Sequence, residues 1–524
     1  MRFLTVLLKN AQLMCMFICT AIASQKLLRS KTASVVVAHV LLVAQPSITM
    51  PTNNRRTLIG LLCLFFLTNF TALVVPTAAA ADAPAVSLEQ RIAKLEAAAA
   101  APGVNSGDNA WMLVSTAMVL LMTAPGLILF YGGLVRSKNV LGTMMHSLIL
   151  MSVVSVLWVV YGYSMSFGEG NAFCGTPFQY FLLHGVGDAP NADYAATIPQ
   201  QTFMLFQLMF AIITPALISG AFAERMKFTA FLVFTILWAT IVYFPLCHMV
   251  WGKGGYFNWS LGGKVPVLDF AGGTVVHISS GVSALVCALV MGKRLGHPHE
   301  PMLPHNVVLS LIGTGLLWFG WFGFNGGSAL AAGGLASSAF AATHFAAAAG
   351  GLGWTLTEWG LKRRPSVLGA ASGMVAGLAT ITPASGFVSV PSAILIGLAA
   401  GFFCYMAVSK LKAKFGYDDT LDAFGVHGVG STVGMILTGV FASAAVNPAI
   451  ATTFKTGGNI VSLAGGASQV MHQLMAVAFT WVLAGGATFL ILKLVDVIIG
   501  LRVTEEEELR GLDVSQHGEE AYND

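Results

Sequence analysis

Asp269–Gly281 reads DFAGGTVVHISSG and runs without a break into VSALVCALVMG, residues 282–292. An apolar run of this length reads as a membrane-crossing helix, and it carries an imidazole, His277, about two turns inside. A second stretch, DTLDAFGVHGVGS (residues 419–431), repeats the pattern, with Asp419 eight residues before His427 as Asp269 stands eight before His277. Ionisable groups inside a span are expensive and face a pathway or a partner, whereas a lone imidazole is as readily a neutral packing residue. The pairing decides for the pathway.

Composition agrees with membrane spans. Of 524 residues, 56% are hydrophobic and only 10% charged, too few polar groups to coat a soluble globule. The expected class is an all-α polytopic membrane protein. About eleven apolar stretches can each cross a bilayer; they begin near residues 110, 144, 201, 228, 267, 306, 338, 366, 391, 419 and 470. Arg136 and Lys138, Arg225 and Lys227, Lys293 and Arg294, Lys362 to Arg364, and Lys410 to Lys414 fall in alternate connections. Those connections are expected to be cytoplasmic. An odd number of crossings then puts the N-terminus outside and the tail inside.

Residues 1–108 precede this array. Residues 1–49 read as an upstream extension, and residues 50–81 as a bacterial secretory signal peptide: two arginines, an apolar run and small residues ending near Ala78–Ala81. An additional membrane helix is the competing reading of that run. Residues 82–108 read as a periplasmic linker, 109–500 as the transmembrane domain and 501–524 as an acidic cytoplasmic tail. The seven cysteines are scattered, with no CxxC, so neither a disulfide framework nor a metal site is expected. No nucleophile, base and oxyanion-donor arrangement emerges, which argues against an enzyme.

Phe130-Tyr-Gly-Gly133 near the end of the first stretch matches Phe324-Asn-Gly-Gly327 in the sixth. With the Asp-to-His spacing of the fifth and tenth, this points to an inverted repeat of spans 1–5 and 6–10, with a long eleventh helix added and a pathway between the halves. His277 and His427 then both lie about 15 Å into their spans, near the midplane. Two rings there bond each other only as donor and acceptor, which favours a neutral pair sharing a proton. No third ligand accompanies them, so they are not a metal site. Asp269 and Asp419 are read as structural acids capping free backbone N–H groups. Each lies about 12 Å from its histidine along the axis. Asp418 and Asp422 read as ordinary loop or helix-end acids.

PGLILFYGGLVRSKNVL (125–141), GAFAERMKF (220–228), HMVWG (248–252), LDFAGGTVVHI (268–278), WFGFNGGSA (321–329), DAFGVHGVGSTVG (422–434) and GLDVSQHGEEAYN (511–523) together resemble the Amt/Mep/Rh ammonium transporter family on its bacterial Amt side, from about residue 109 to the end. The resemblance implies a homotrimer of independent pores in the bacterial inner membrane. It implies an outer ammonium site at Trp251, Phe210 and Ser328 with Tyr243 in support, gate rings Phe210 and Phe324, and a narrow lumen in which His277 and His427 relay a proton. Gln207 and Trp321 match family positions near the pore. Aromatic faces attract a bare cation, by about 2 kcal/mol or more once desolvated, and a hydroxyl accepts an N–H that potassium lacks. Taken alone, Trp251 reads equally well as an interfacial belt residue, and each phenylalanine as packing. The implied mechanism is loss of a proton near the gate, passage of ammonia and net electrogenic uptake. The tail's resemblance implies docking on neighbouring subunits and contact with a cytoplasmic PII signal protein. An ammonium sensor, for which the short tail leaves no room for a signalling domain, and an Rh-type channel for neutral gas are the alternatives. The Trp251, Phe210 and Ser328 set favours cation recruitment over the latter.

Overall fold

The computed structural model describes residues 103–456 and 458–522. The upstream extension, the signal peptide and most of the linker lie outside the described residues. Among the described residues, nine helices are long and apolar enough to cross a membrane: α1 Ser106–Leu134, α2 Ser137–Phe167, α3 Gln200–Phe222, α4 Phe228–Trp251, α5 Gly273–Met291, α6 Val307–Gly327, α9 Val390–Phe415, α10 Phe424–Phe441 and α11 Ala467–Ile498. Between α6 and α9 stand two more, α7 Gly334–Lys362 and α8 Val367–Ile381. These eleven helices occupy the eleven stretches named from sequence, but α7 and α8 differ from the expected uniform spans. Alanine, glycine, Glu358 and Lys362 dilute the hydropathy of α7, and α8 has only 15 residues. The protein is a multi-pass membrane protein.

α3 forms the centre, with nearly every residue buried. Around it, α5 and α10 enter in similar ways. Each follows an aspartate, begins in a wide π-type turn, Gly273–Ile278 or Phe424–Val429, and carries its histidine within that turn. Single π turns inside α-helices mark functional places, because they re-aim side chains that a regular helix would space evenly. Gly272 makes the entry to α5 at φ +111°, backbone that residues with a Cβ rarely adopt.

α5 and α10 touch backbone to backbone. A Cβ on Gly281 would lie 2.1 Å from the backbone nitrogen of Gly428. Only glycine permits that approach, and it carries His277 and His427 to the same level. Outside the bundle, a short antiparallel hairpin pairs β1 Lys455–Thr456 with β2 Asn459–Ile460.

The C-terminal segment folds back on its own chain. A capping box at Thr504 and Glu507 starts α12, Glu505–Arg510. Glu508 is fixed by Arg502 at 2.7 Å and accepts the backbone N–H of Leu295 at 2.8 Å. The Asp513 carboxylate accepts the N–H groups of Leu141 and Gly142 at 3.0 and 2.8 Å, at the start of α2 where free donors and the helix dipole favour an anion. The tail is therefore a seated segment rather than a merely solvated end.

Candidate functional site

Three cavities follow one another through the bundle. The first opens at the end of α4, has a volume of about 270 Å³ and is lined by Gln207, Phe210, Trp251, Asp269 and Ser328 among others. Trp251 is positioned by its indole N–H, which donates to the carbonyl of Asp269 at 3.0 Å, and its ring stands edge-on to Phe210 with centroids 5.8 Å apart. Ser328 donates to the carbonyl of Phe324 at 2.8 Å, so the lone pairs of its hydroxyl remain to accept. This mouth thus offers aromatic rings and hydroxyl oxygens, that of Ser328 among them, a set suited to a small cation that can itself donate a hydrogen bond. Tyr243 is buried against Trp238 and Phe244 and is not part of this cavity wall.

The floor of that cavity is aromatic. Phe210 and Phe324 lie 4.2 Å apart between centroids at an angle of 35°, and neither is more than 1% exposed. Beneath them a narrow apolar lumen is lined by Val276, Leu317, Trp321, His277 and His427 together with Phe324 itself. The Trp321 indole is held by Thr382 Oγ1 at 2.9 Å and its ring parallels His277 at 5.5 Å. The two histidines are brought together with centroids 5.2 Å apart and planes within 12°. No hydrogen bond joins them, contrary to the shared-proton pair expected from sequence. His277 also packs against the rings of Trp321 and Phe324, with centroids 5.5 and 6.0 Å away, and neither of its ring nitrogens has a protein partner. Such unpartnered polar atoms in an apolar channel are free to bond whatever passes.

The third cavity, about 490 Å³, opens on the side of the C-terminal tail and shares His427, Phe130 and Tyr131 with the lumen. Its rim is charged. Arg294 pairs with Asp418 at 2.8 Å and with Glu224 at 3.0 Å, and Arg136 joins Glu224 at 2.9 Å. Burial alone would raise the Asp418 and Glu224 carboxyls. Arg294 holds Asp418 far below the ordinary carboxylate range, and with Arg136 it holds Glu224 below it as well. Asp418 is therefore not an ordinary loop acid but the centre of a buried clasp. No motif spacing marks it; the available sign was a charge beside a long apolar run.

The two aspartates also part ways. Asp269 accepts from the backbone of Gly272, Gly273 and Thr274 and from the Thr274 hydroxyl, at 2.5–2.8 Å, the capping role expected of it. Asp419 accepts from Phe424 N at 2.8 Å, and its other oxygen has no partner. Among the described residues no group of His, Cys, Asp or Glu is arranged to hold a metal ion.

Known proteins are similar to this chain in sequence and in fold. The sequence profile of the Ammonium Transporter Family matches residues 110–522. The chain belongs to the ammonium transporter family. An ammonium transporter of Bacillus subtilis is 50% identical over 418 residues, which cover 80% of this chain and 99% of the relative. One from Aquifex aeolicus is 46% identical over 80% of this chain and 94% of the relative. Among solved structures, Candida albicans Mep2 superposes with a TM-score of 0.71 at 35% identity, covering 80% of this chain and 90% of that one. A sensor Amt protein gives 0.70 at 28%, covering 78% and 98%. Membership of the ammonium transporter family is membership of a transporter family, not of an enzyme family.

Proposed function

We propose that this protein takes up ammonium: it binds NH4+ at the Trp251 mouth, strips a proton near the Phe210–Phe324 pair and passes ammonia through the lumen past His277 and His427. The supporting observation is the change of chemistry along the line of cavities. A mouth of aromatic rings and hydroxyl acceptors, Ser328 among them, gives way at two buried rings to an apolar passage. A full charge is not tolerated in such a passage, because its desolvation is uncompensated. Ammonia is polar but neutral, and the unpartnered nitrogens of His277 give it a hydrogen-bonding station. A proton carried separately along the histidines makes uptake electrogenic.

On this reading all eleven helices cross, α1–α5 and α6–α10 are inverted repeats, and the Trp251 mouth faces outward with the tail in the cytoplasm of a bacterial inner membrane. Three copies form a trimer of independent pores, and the tail is the surface that meets a PII signal protein. The likeness to a sensor Amt protein supports a second reading, in which ammonium occupancy is reported rather than followed by transport. Currents in proteoliposomes decide. Ammonium and methylammonium are expected to evoke inward current and potassium none, and His277→Ala to abolish the current or admit potassium while the protein still elutes as folded. Unchanged ammonium current and selectivity in His277→Ala would refute the relay, and absence of any ammonium current in the parent protein would favour the sensor.

A further inference from the structure

The carbonyls of Asp269 and Asp419 precede α5 and α10 at corresponding places, and each accepts a side-chain donor from the end of the preceding helix. For Asp269 the donor is the Trp251 indole at 3.0 Å. For Asp419 it is the ammonium of Lys412, at 2.6 Å, and the same nitrogen reaches Asp422 Oδ1 at 2.7 Å. Lys412 and Asp422 both line the tail-side cavity. Asp422 stands there in left-handed backbone, φ +60°, which side-chain-bearing residues seldom adopt. Arg294, the other cation of that wall, is taken up by Asp418 and Glu224.

A carbonyl oxygen and a carboxylate oxygen converging on one nitrogen are what a free ammonium ion would seek. We propose that Lys412 fills the tail-side cation site with its own tethered ammonium, so that this mouth does not retain the transported ion and loading is confined to the Trp251 mouth. The side chain ends in a positively charged nitrogen with N–H donors, as the substrate ion has, but its stem prevents it from leaving. Removing it would leave the carbonyl of Asp419 and the carboxylate of Asp422 facing the vestibule, and the released product would bind there.

This inference rests on the ammonium-transport reading. In right-side-out proteoliposomes, ammonium loaded inside wild-type vesicles should alter the driving force alone and leave the inward conductance intact. A saturable loss of conductance in the wild type would overturn the proposal without recourse to any variant. In Lys412→Met, internal ammonium should inhibit the inward conductance saturably, with a drop of about twofold when its concentration equals the dissociation constant of the vacated site. Lys412→Arg should resemble the wild type, and Lys412→Met with Asp422→Asn should lose the inhibition because the carboxylate is gone. Identical dependence on internal ammonium in Lys412→Met and wild type, or inhibition that persists in the double variant, would overturn it. Absence of wild-type current without internal ammonium would instead refute the transport reading itself.

Discussion

α5 and α10 are built on one plan and carry different chemistry. Both follow an aspartate, open on a π turn and present a histidine to the lumen. At the α5 entry the aspartate is saturated by four donors and its carbonyl is held by an aromatic ring. At the α10 entry the aspartate accepts from Phe424, and its carbonyl is held by a lysine. The shared plan places two histidines at one level. The differences decide what each mouth can bind. Backbone geometry is hard to alter piecemeal in a close-packed bundle, whereas a side chain at a cavity wall can be exchanged with little effect on the frame.

The largest expected effect comes from breaking the crossing itself. Gly281→Ala places its methyl against the backbone of Gly428, which cannot yield without moving α10. Gly428→Ala meets first the ring of Phe424, at 2.7 Å, and a ring can rotate. Gly281→Ala should lose about 3 kcal/mol or fail to assemble, and Gly428→Ala about 1 kcal/mol, as read by thermal melts and size-exclusion profiles in detergent. Equal losses would mean that the two helices do not meet at this point.

The entries give a middle-sized contrast. Asp269→Asn replaces a carboxylate that serves four donors and should cost about 2 kcal/mol, whereas Asp419→Asn, with one donor served, should cost less than about 1 kcal/mol. Melting curves of the two variants at neutral pH test this, and a costlier Asp419→Asn would reverse the comparison.

The smallest effect separates the two rims by pH. Asp418 and Glu224 are held below their ordinary values by Arg294 and Arg136, against the opposing effect of burial. A folded-state value below the unfolded one stabilises fully above the ordinary carboxylate range, near pH 4, and that stabilisation disappears as pH falls further. The clasp's contribution to the melting temperature should therefore be constant above about pH 5 and be lost below about pH 4. Asp418→Asn should flatten the decline, and an unaltered acid limb in that variant would remove the clasp as its cause.

Much of this was legible in the sequence. Apolar length and the sorting of charges marked the helical stretches, and the Asp-to-His spacing singled out α5 and α10. The motifs around Trp251, Phe210, Ser328 and Phe324 named residues that the fold does bring to one cavity and its floor. Tyr243 does not line that cavity but is buried against Trp238 and Phe244. Asp418 and Lys412 were missed. Their partners lie far along the chain or on another turn, and no local spacing records a clasp assembled from four connections.

The sequence alone determined that this chain spans a membrane many times and that two buried imidazoles belong together, because hydrophobic length and paired ionisable residues are local properties with large energies. The tertiary structure alone decided the ring geometry of His277 and His427, the unequal satisfaction of Asp269 and Asp419, and the lodging of the Lys412 ammonium at the tail-side mouth. Each of these depends on distances between residues remote in the chain, and close packing, rather than local preference, sets such distances.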